Sequence, residues 1–234
     1  MSKHGVGTDI AANVARIRER IARAAQRVGR TPEDVRIVAV SKLHGAERIR
    51  EAVGAGIVDI AENYVQEAAG KRAEVAEGVR WHMVGHLQRN KAKQAVQIFD
   101  MIQTVDSPRL ASAIARHAEA AGRALDVLLQ VNTSGERSKS GVDPDAAEEL
   151  LDAVAEMSGL RVQGLMTIGR WDPNPERTRS EFRLLADLAG KLADRSGAGM
   201  KWLSMGMSHD FEIAIEEGAN LVRIGTGIFG PRPE

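Results

Sequence analysis

The sequence predicts an α/β fold in which eight parallel strands, each followed by a helix, close into a (β/α)8 TIM barrel. Eight short apolar runs alternate with amphipathic stretches along the 234 residues, which is typical of parallel strands with helical crossovers. Eight such units favour a closed barrel over an open doubly wound sheet. One further helix precedes the first strand. No stretch resembles a linker, so residues 1–234 are predicted to form a single domain.

The order of the elements follows from hydrophobic periodicity. An amphipathic helix begins at Ile10 and ends near Gly29. Runs rich in β-branched and apolar residues predict strands near 35–42, 57–62, 80–86, 99–105, 124–132, 160–168, 201–206 and 220–226. Helices are predicted between them, near 46–54, 64–77, 89–97, 108–121, 144–157, 176–195 and 209–217.

Composition and charge exclude several classes of function. The 32 basic residues balance the 32 acidic residues, so neither nucleic acid nor a membrane surface is predicted as a partner. The absence of cysteine excludes disulfides, thiolate metal sites and cysteine nucleophiles. No signal-peptide core or transmembrane stretch is visible, and we expect a cytoplasmic protein. His82 and His86 would lie ~13 Å apart on a strand, and no other ligand spacing occurs, so no metal is predicted.

Lys42 is the residue most suggestive of chemistry. It follows the apolar run 35–40, and side chains at the carboxyl ends of barrel strands surround the active site in this fold. Apolar walls would depress the pKa of its amine and make it a better nucleophile for a carbonyl compound. Position alone favours a simpler interpretation, a lysine whose charged end reaches solvent.

Two loops favour the chemical interpretation of Lys42. Barrels frequently bind phosphate with the loops that follow strands seven and eight. Ser204 and Ser208 flank Gly206 after the seventh strand, and Gly225 and Thr226 follow the eighth. A reactive lysine beside a phosphate site suggests a phosphorylated aldehyde or ketone, either pyridoxal 5′-phosphate (PLP) or a sugar phosphate. Arg223 favours PLP, because arginine is a known partner of its pyridine nitrogen, although Arg223 could also form an ion pair near the barrel floor.

Seven segments form a colinear pattern over nearly the whole chain: VAVSK (38–42), AENYVQE (61–67), WHMVGHLQRNK (81–91), VNTSGERSKSG (131–141), GLMTIG (164–169), LSMGMSHDFEIAI (203–215) and VRIGTGIFG (222–230). Together they resemble the pyridoxal-phosphate homeostasis protein family, single-barrel relatives of the alanine racemase N-terminal domain. Ala61 stands where the resemblance leads us to expect glycine, and His209 where an acidic residue is common. The resemblance implies the barrel of PLP fold type III.

The resemblance also implies a role for each candidate site residue. Lys42 would hold PLP as a Schiff base, and Asn63 would line the pocket near the cofactor ring. Arg223 would face the pyridine nitrogen, and Met166 would pack near the cofactor.

The phosphate group would be held by small residues of the last two loops. The resemblance implies Ser204 or Ser208 for this role, together with Gly225 and Thr226.

The resemblance implies a monomeric PLP-binding protein of vitamin B6 homeostasis, which buffers the cofactor or delivers it to PLP-dependent apo-enzymes. A fixed cation such as Arg223 opposes protonation of the pyridine nitrogen and so weakens the cofactor as an electron sink. Racemases with this feature add a tyrosine base from a second domain, whereas this chain has one tyrosine, Tyr64. We therefore expect little or no turnover and no catalytic residue. The alternatives are a PLP-dependent amino-acid racemase or lyase, and an aldolase-like barrel.

Overall fold

The computed structural model describes residues 9–75, 77–136, 139–170, 172, 174–196 and 200–231. Within these residues eight parallel strands form a closed barrel in sequence order, and the last strand pairs with the first. The strands are β1 (Arg36–Val40), β2 (Asp59–Glu62), β3 (Arg80–Met83), β4 (Met101–Val105), β5 (Leu125–Gln130), β6 (Leu160–Met166), β7 (Trp202–Ser204) and β8 (Leu221–Ile224). The predicted barrel is confirmed.

Helices surround the barrel and lie close to the predicted positions. They are α1 (Ile10–Arg27), α2 (Ala46–Gly54), α3 (Val65–Arg72), α4 (Ala92–Ile98), α5 (Pro108–Ala120), α6 (Ala147–Ala155), α7 (Pro175–Ser196), α8 (Phe211–Glu216) and α9 (Thr226–Phe229). In the part of the chain that the structure describes, none of these helices combines the length and the apolar character needed to cross a membrane.

The N-terminal helix α1 forms because its apolar residues recur on one face. Ile10, Val14, Ile17 and Ile21 are all buried, and they pack α1 against α2, α8 and α9. Asp9 caps the helix by accepting a hydrogen bond from the Ala12 amide at 3.0 Å. The helix therefore covers the seam where the barrel closes.

The inside and the outside of the barrel wall have separate apolar clusters. Alternate residues of a strand point to opposite faces, and the inner cluster takes one residue from or beside each of seven strands. Its members are Val38, Ala61, Val84, Met101, Leu128, Met166 and Leu221. The larger outer cluster joins the strands to the helices. Val40 and Arg223 lie two positions after Val38 and Leu221 on β1 and β8 and also point inward, and Asn63 follows the end of β2 with the same spacing from Ala61.

Most strands are shorter than predicted, and two of the strand ends that differ define the site. The strand predicted over 35–42 ends at Val40, so Lys42 lies in the following turn, where the His44 amide donates to the Ser41 carbonyl at 3.0 Å. The strand predicted over 220–226 ends at Ile224, because Gly225 leaves the extended conformation with φ −104° and ψ −86°. Its carbonyl then accepts the Phe229 amide at 3.0 Å and begins α9, a helix too short for its periodicity to be visible in the sequence.

Candidate functional site

A cavity of about 280 Å³ opens at the carboxyl ends of the strands. Six of the eight predicted site residues line it: Lys42, Asn63, Ser208, Arg223, Gly225 and Thr226. The other described lining residues are Val40, Val84, Ile168, Met207 and His209. The cavity therefore combines an amine, a guanidinium group and small polar loops on a largely apolar background.

Met166 and Ser204 lie one layer below this cavity. Both are fully buried, and they face each other in the register between β6 and β7. Met166 belongs to the inner apolar cluster, whereas the Ser204 hydroxyl accepts a hydrogen bond from Arg223 Nη1 at 2.7 Å. The structure therefore brings Ser208, and not Ser204, to the cavity wall, and a cofactor role for Ser204 or Met166 stays a prediction.

Arg223 is a buried cation at the cavity wall. Its side chain points from β8 into the barrel, and Nη2 donates to the Thr167 carbonyl at 2.7 Å. Burial lowers the pKa of Arg223 to about 10, against the attraction of the Asp210 carboxylate. The guanidinium group is therefore still charged at neutral pH. Arg223 lines the mouth, so the alternative position near the barrel floor is wrong.

The two loops beside Arg223 are tied together by their own side chains. The Ser208 hydroxyl accepts a hydrogen bond from the Gly227 amide at 3.1 Å, and Asp210 Oδ1 accepts one from the Met207 amide at 2.6 Å. A Cβ atom on Gly227 would come within 2.9 Å of Ile224 Cγ2, so only glycine fits there without movement. The loops after β7 and β8 thus form one wall.

A charged cluster holds the turn that carries Lys42. Glu62 Oε1 accepts hydrogen bonds from the Ser41 hydroxyl at 2.6 Å and from Lys71 Nζ at 2.8 Å. Lys71 Nζ also donates to the Ser41 carbonyl at 3.1 Å and to Glu67 Oε2 at 3.0 Å. Glu67 Oε2 in turn accepts the Leu43 amide at 2.9 Å. Both neighbours of Lys42 in the chain are therefore fixed by this cluster, which we call the lysine-turn cluster.

The lysine-turn cluster stores strain and buried charge. Leu43 has φ +66°, a left-handed conformation that disfavours a branched apolar residue. Burial raises the pKa of Glu62, whose Oε2 lacks a hydrogen-bond partner among the described residues. Burial also opposes ionisation of Glu67, yet the hydrogen bonds from Leu43 and Lys71 lower its pKa overall. Such features concentrate at functional sites.

A second polar group lies inside the barrel beneath Arg223. The Ser204 hydroxyl donates to Gln103 Oε1 at 2.7 Å, Gln103 Nε2 contacts His82 Nδ1 at 3.0 Å, and His82 Nε2 contacts Asp59 Oδ1 at 2.9 Å. All four side chains are buried. We call this set, from Asp59 to Ser204, the interior relay.

Sequence reasoning missed both the lysine-turn cluster and the interior relay. A usable signal existed for the relay, because Asp59 and Gln103 lie two residues from Ala61 and Met101 on the same inward face. Polar residues on a face that is otherwise apolar indicate an internal network. No comparable period marks Lys71, which reaches the turn from a helix. Within the described residues, no three histidine or carboxylate side chains are grouped as metal ligands.

Comparisons with known proteins show the family of this chain. Residues 12–233 match the family model of the alanine racemase N-terminal domain. The pyridoxal phosphate homeostasis protein of Pseudomonas aeruginosa is 44% identical over 224 residues, which cover 95% of this chain and 96% of the relative.

Solved structures give the same result. PipY of Synechococcus elongatus, solved with PLP bound, has a TM-score of 0.83 and 35% identity, over 94% of this chain and 100% of that one. Alanine racemase of Clostridium difficile shares the fold, with a TM-score of 0.76 at 18% identity over 97% of this chain and 57% of that one. The chain belongs to the pyridoxal phosphate homeostasis protein family and carries the alanine racemase N-terminal domain.

Proposed function

We propose that this protein binds PLP in the cavity at the carboxyl ends of the strands, as a Schiff base with Lys42, and serves intracellular PLP homeostasis by buffering or delivering the cofactor. One observation carries the proposal: Lys42, Arg223 and the Ser208 and Thr226 loops line a single cavity. The relative from Pseudomonas aeruginosa is named for this function, and PipY was solved with PLP.

The cavity fits the chemistry of PLP. Its volume of about 280 Å³ lies just below the ~300–1,000 Å³ typical of small-molecule sites. The Lys42 amine would add to the aldehyde carbon, and its two hydrogens would leave with the aldehyde oxygen as water. The apolar lining by Val40, Val84 and Ile168 would limit the access of water to Lys42.

The remaining site residues would orient the cofactor. Ser208, Gly225 and Thr226 would hold the phosphate, because the α9 backbone begins there and small residues allow close approach. Asn63 would line the pocket beside the ring. Arg223 would face the pyridine nitrogen.

Met166 and Ser204 would act from the layer below. Met166 would support the cofactor floor through the inner cluster, and Ser204 would contribute through Arg223, to which it is hydrogen-bonded.

We propose that turnover is slight or absent. A fixed cation opposes protonation of the pyridine nitrogen, which weakens the cofactor as an electron sink. Tyr64, the one tyrosine in the sequence, is 57% exposed and lines an adjoining crevice with His86 and Lys91.

One observation keeps a PLP-dependent racemase or lyase as the second candidate, because His209 joins Lys42 on the cavity wall and could move a proton. Sustained turnover of an amino acid, lost in Lys42→Ala, would establish that candidate.

The biological setting is part of the same proposal. Residues 1–234 would act as one domain, as a monomer in the cytoplasm, and PLP-dependent apo-enzymes would receive the cofactor.

Mixing the PLP-loaded protein with a PLP-free transaminase tests delivery, since recovered transaminase activity should exceed that given by an equal amount of free PLP at early times. Recovery no faster than with free PLP would contradict delivery.

The proposal is tested by titrating the protein with PLP and following absorbance. The parent and Lys91→Ala should both develop the Schiff-base band, because Lys91 lies outside the cavity. Lys42→Ala should not develop it. Equal bands in all three proteins would place the cofactor elsewhere.

A further inference from the structure

The interior relay crosses the barrel from floor to mouth. Asp59 is the first residue of β2, at the floor, and Arg223 lines the cavity at the mouth. The step from Gln103 to Ser204 joins β4 to β7, which are separated in the wall by β5 and β6. This hydrogen bond therefore spans the lumen, and the relay connects opposite walls.

Asp59 at one end of the relay and Arg223, which contacts Ser204 at the other end, determine the direction of every hydrogen bond between them. Arg223 is a donor only and an ionised Asp59 is an acceptor only. Burial opposes the ionisation of Asp59, but its hydrogen bond with His82 and its attraction to His82, Arg80 and Arg36 lower its pKa overall.

Each group between these ends donates once and accepts once. Ser204 accepts from Arg223 and donates to Gln103 Oε1. Gln103 Nε2 then donates to His82 Nδ1, and the His82 proton on Nε2 points to Asp59. With the amide of Gln103 turned over, Gln103 would donate to Ser204 and the Ser204 proton would have no acceptor in the relay, which disfavours that orientation.

We propose that Gln103 is a positioning residue for Arg223, and that the interior relay holds this guanidinium fixed beside the cofactor ring. Neutral acceptors lie at hydrogen-bonding distance from it, and the Asp210 carboxylate acts only from further away. The inference rests on the proposed function, in which the ring occupies the cavity. Both acceptors that contact Arg223, the Ser204 hydroxyl and the Thr167 carbonyl, are neutral. The relay thus anchors the cation without placing a carboxylate directly on it.

The consequence concerns the protonation of the pyridine nitrogen. A cation fixed beside that nitrogen disfavours a second positive charge on it. If Gln103 can no longer accept from Ser204, the hydroxyl loses its acceptor and Arg223 loses its fixed position. The ring nitrogen would then accept a proton at higher pH.

If Gln103 served only to pack the lumen, the expected effects of its substitutions would be reversed. Methionine matches the length of glutamine and suits an apolar lumen, whereas a buried glutamate is unfavourable without partners. If Gln103 only filled space, Gln103→Met would be harmless and Gln103→Glu harmful. If Gln103 positions Arg223, Gln103→Glu retains an oxygen for Ser204 and Gln103→Met does not.

The test loads the full-length protein with PLP labelled with ¹⁵N in the ring and follows the nitrogen chemical shift against pH. In Gln103→Met the protonation midpoint should rise by about one pH unit, which is tenfold in the proton-binding constant. Gln103→Glu retains the acceptor for Ser204 and, with one proton taken up in the relay to balance the new carboxylate, should keep the parent midpoint. Gln130→Met is the matched control, because Gln130 is equally buried but donates to the Ser140 carbonyl outside the relay.

The outcomes separate this inference from the proposed function. An unchanged midpoint in Gln103→Met, or equal shifts in Gln103→Met and Gln103→Glu, would overturn the relay while PLP remains on Lys42. If Gln103→Met does not fold, Ser204→Ala removes the same link and should raise the midpoint, and an unchanged midpoint there would overturn the relay. A parent protein that takes up no PLP on Lys42 would instead overturn the proposed function.

Discussion

The two sides of the cavity are supported in opposite ways. Lys42 lies in a turn held by ionised side chains, with Lys71 between Glu62 and Glu67. Arg223 is held by neutral acceptors and, through them, by the interior relay. The first support lies at the outer wall and is partly exposed at Glu67, which has 26% of its side chain accessible. The second is enclosed in the lumen.

The difference fits the role that we propose for each side. A turn that presents a lysine at the barrel mouth can be fixed through its neighbours in the chain, so hydrogen bonds between the charged side chains and Ser41 and Leu43 suffice. A cation that acts by its charge would be neutralised by a carboxylate at contact distance, so its support has to be neutral at the point of contact. The lysine side should therefore respond to pH and salt, and the arginine side should respond to the loss of single hydrogen bonds.

The largest expected effect comes from removing the central cation of the lysine-turn cluster. Lys71→Met leaves Glu62, which is fully buried, without its ionic partner. Removal of one partner from a buried pair costs about 3–5 kcal/mol, and Lys71 is 13% exposed, so we expect about 3 kcal/mol in the free energy of unfolding. Denaturant unfolding of the PLP-free protein measures this. Lys91→Met is the control. Equal losses of unfolding free energy in both variants would refute a stabilising role for the lysine-turn cluster.

A smaller effect is expected from the pH response of Glu67. Its folded-state pKa is lowered, so its contribution to stability is present above the ordinary glutamate pKa of ~4.3 and disappears as the pH falls through the folded value. At pH 7 the free energy of unfolding should be larger for the parent than for Glu67→Gln, and the two values should converge on acidification. A difference that stays constant down to low pH would contradict this.

The smallest effect is expected at Leu43. Glycine would relieve the strain of φ +66°, worth ~1–2 kcal/mol, but it loses more entropy on folding, ~0.5–1 kcal/mol. Leu43 is 49% exposed, so little burial is lost. Leu43→Gly should be more stable than Leu43→Ala by about 0.5 kcal/mol in thermal unfolding. An alanine variant as stable as the glycine variant would argue against strain.

The sequence is sufficient for the barrel and for most of the cavity wall. Apolar runs with a defined end place Lys42 and Asn63 correctly because parallel strands bring their carboxyl ends to one face. The depth of a residue below the cavity is harder to predict. Ser204 ends β7 below the cavity and Ser208 lines it, and the path of the chain between them depends on tertiary packing. Gln103 and Ser204 meet only because two non-adjacent strands, β4 and β7, face each other across the lumen, and no local pattern encodes that contact.

The central claim is that PLP is held on Lys42, and borohydride reduction of the PLP-loaded protein tests it most directly. Reduction fixes the cofactor to the nitrogen that holds it, and mass mapping of peptides identifies the residue. We expect one label per chain, on the peptide that contains Lys42, and no such label in Lys42→Ala. Labels confined to other lysines, or no label with PLP in excess, would contradict the account.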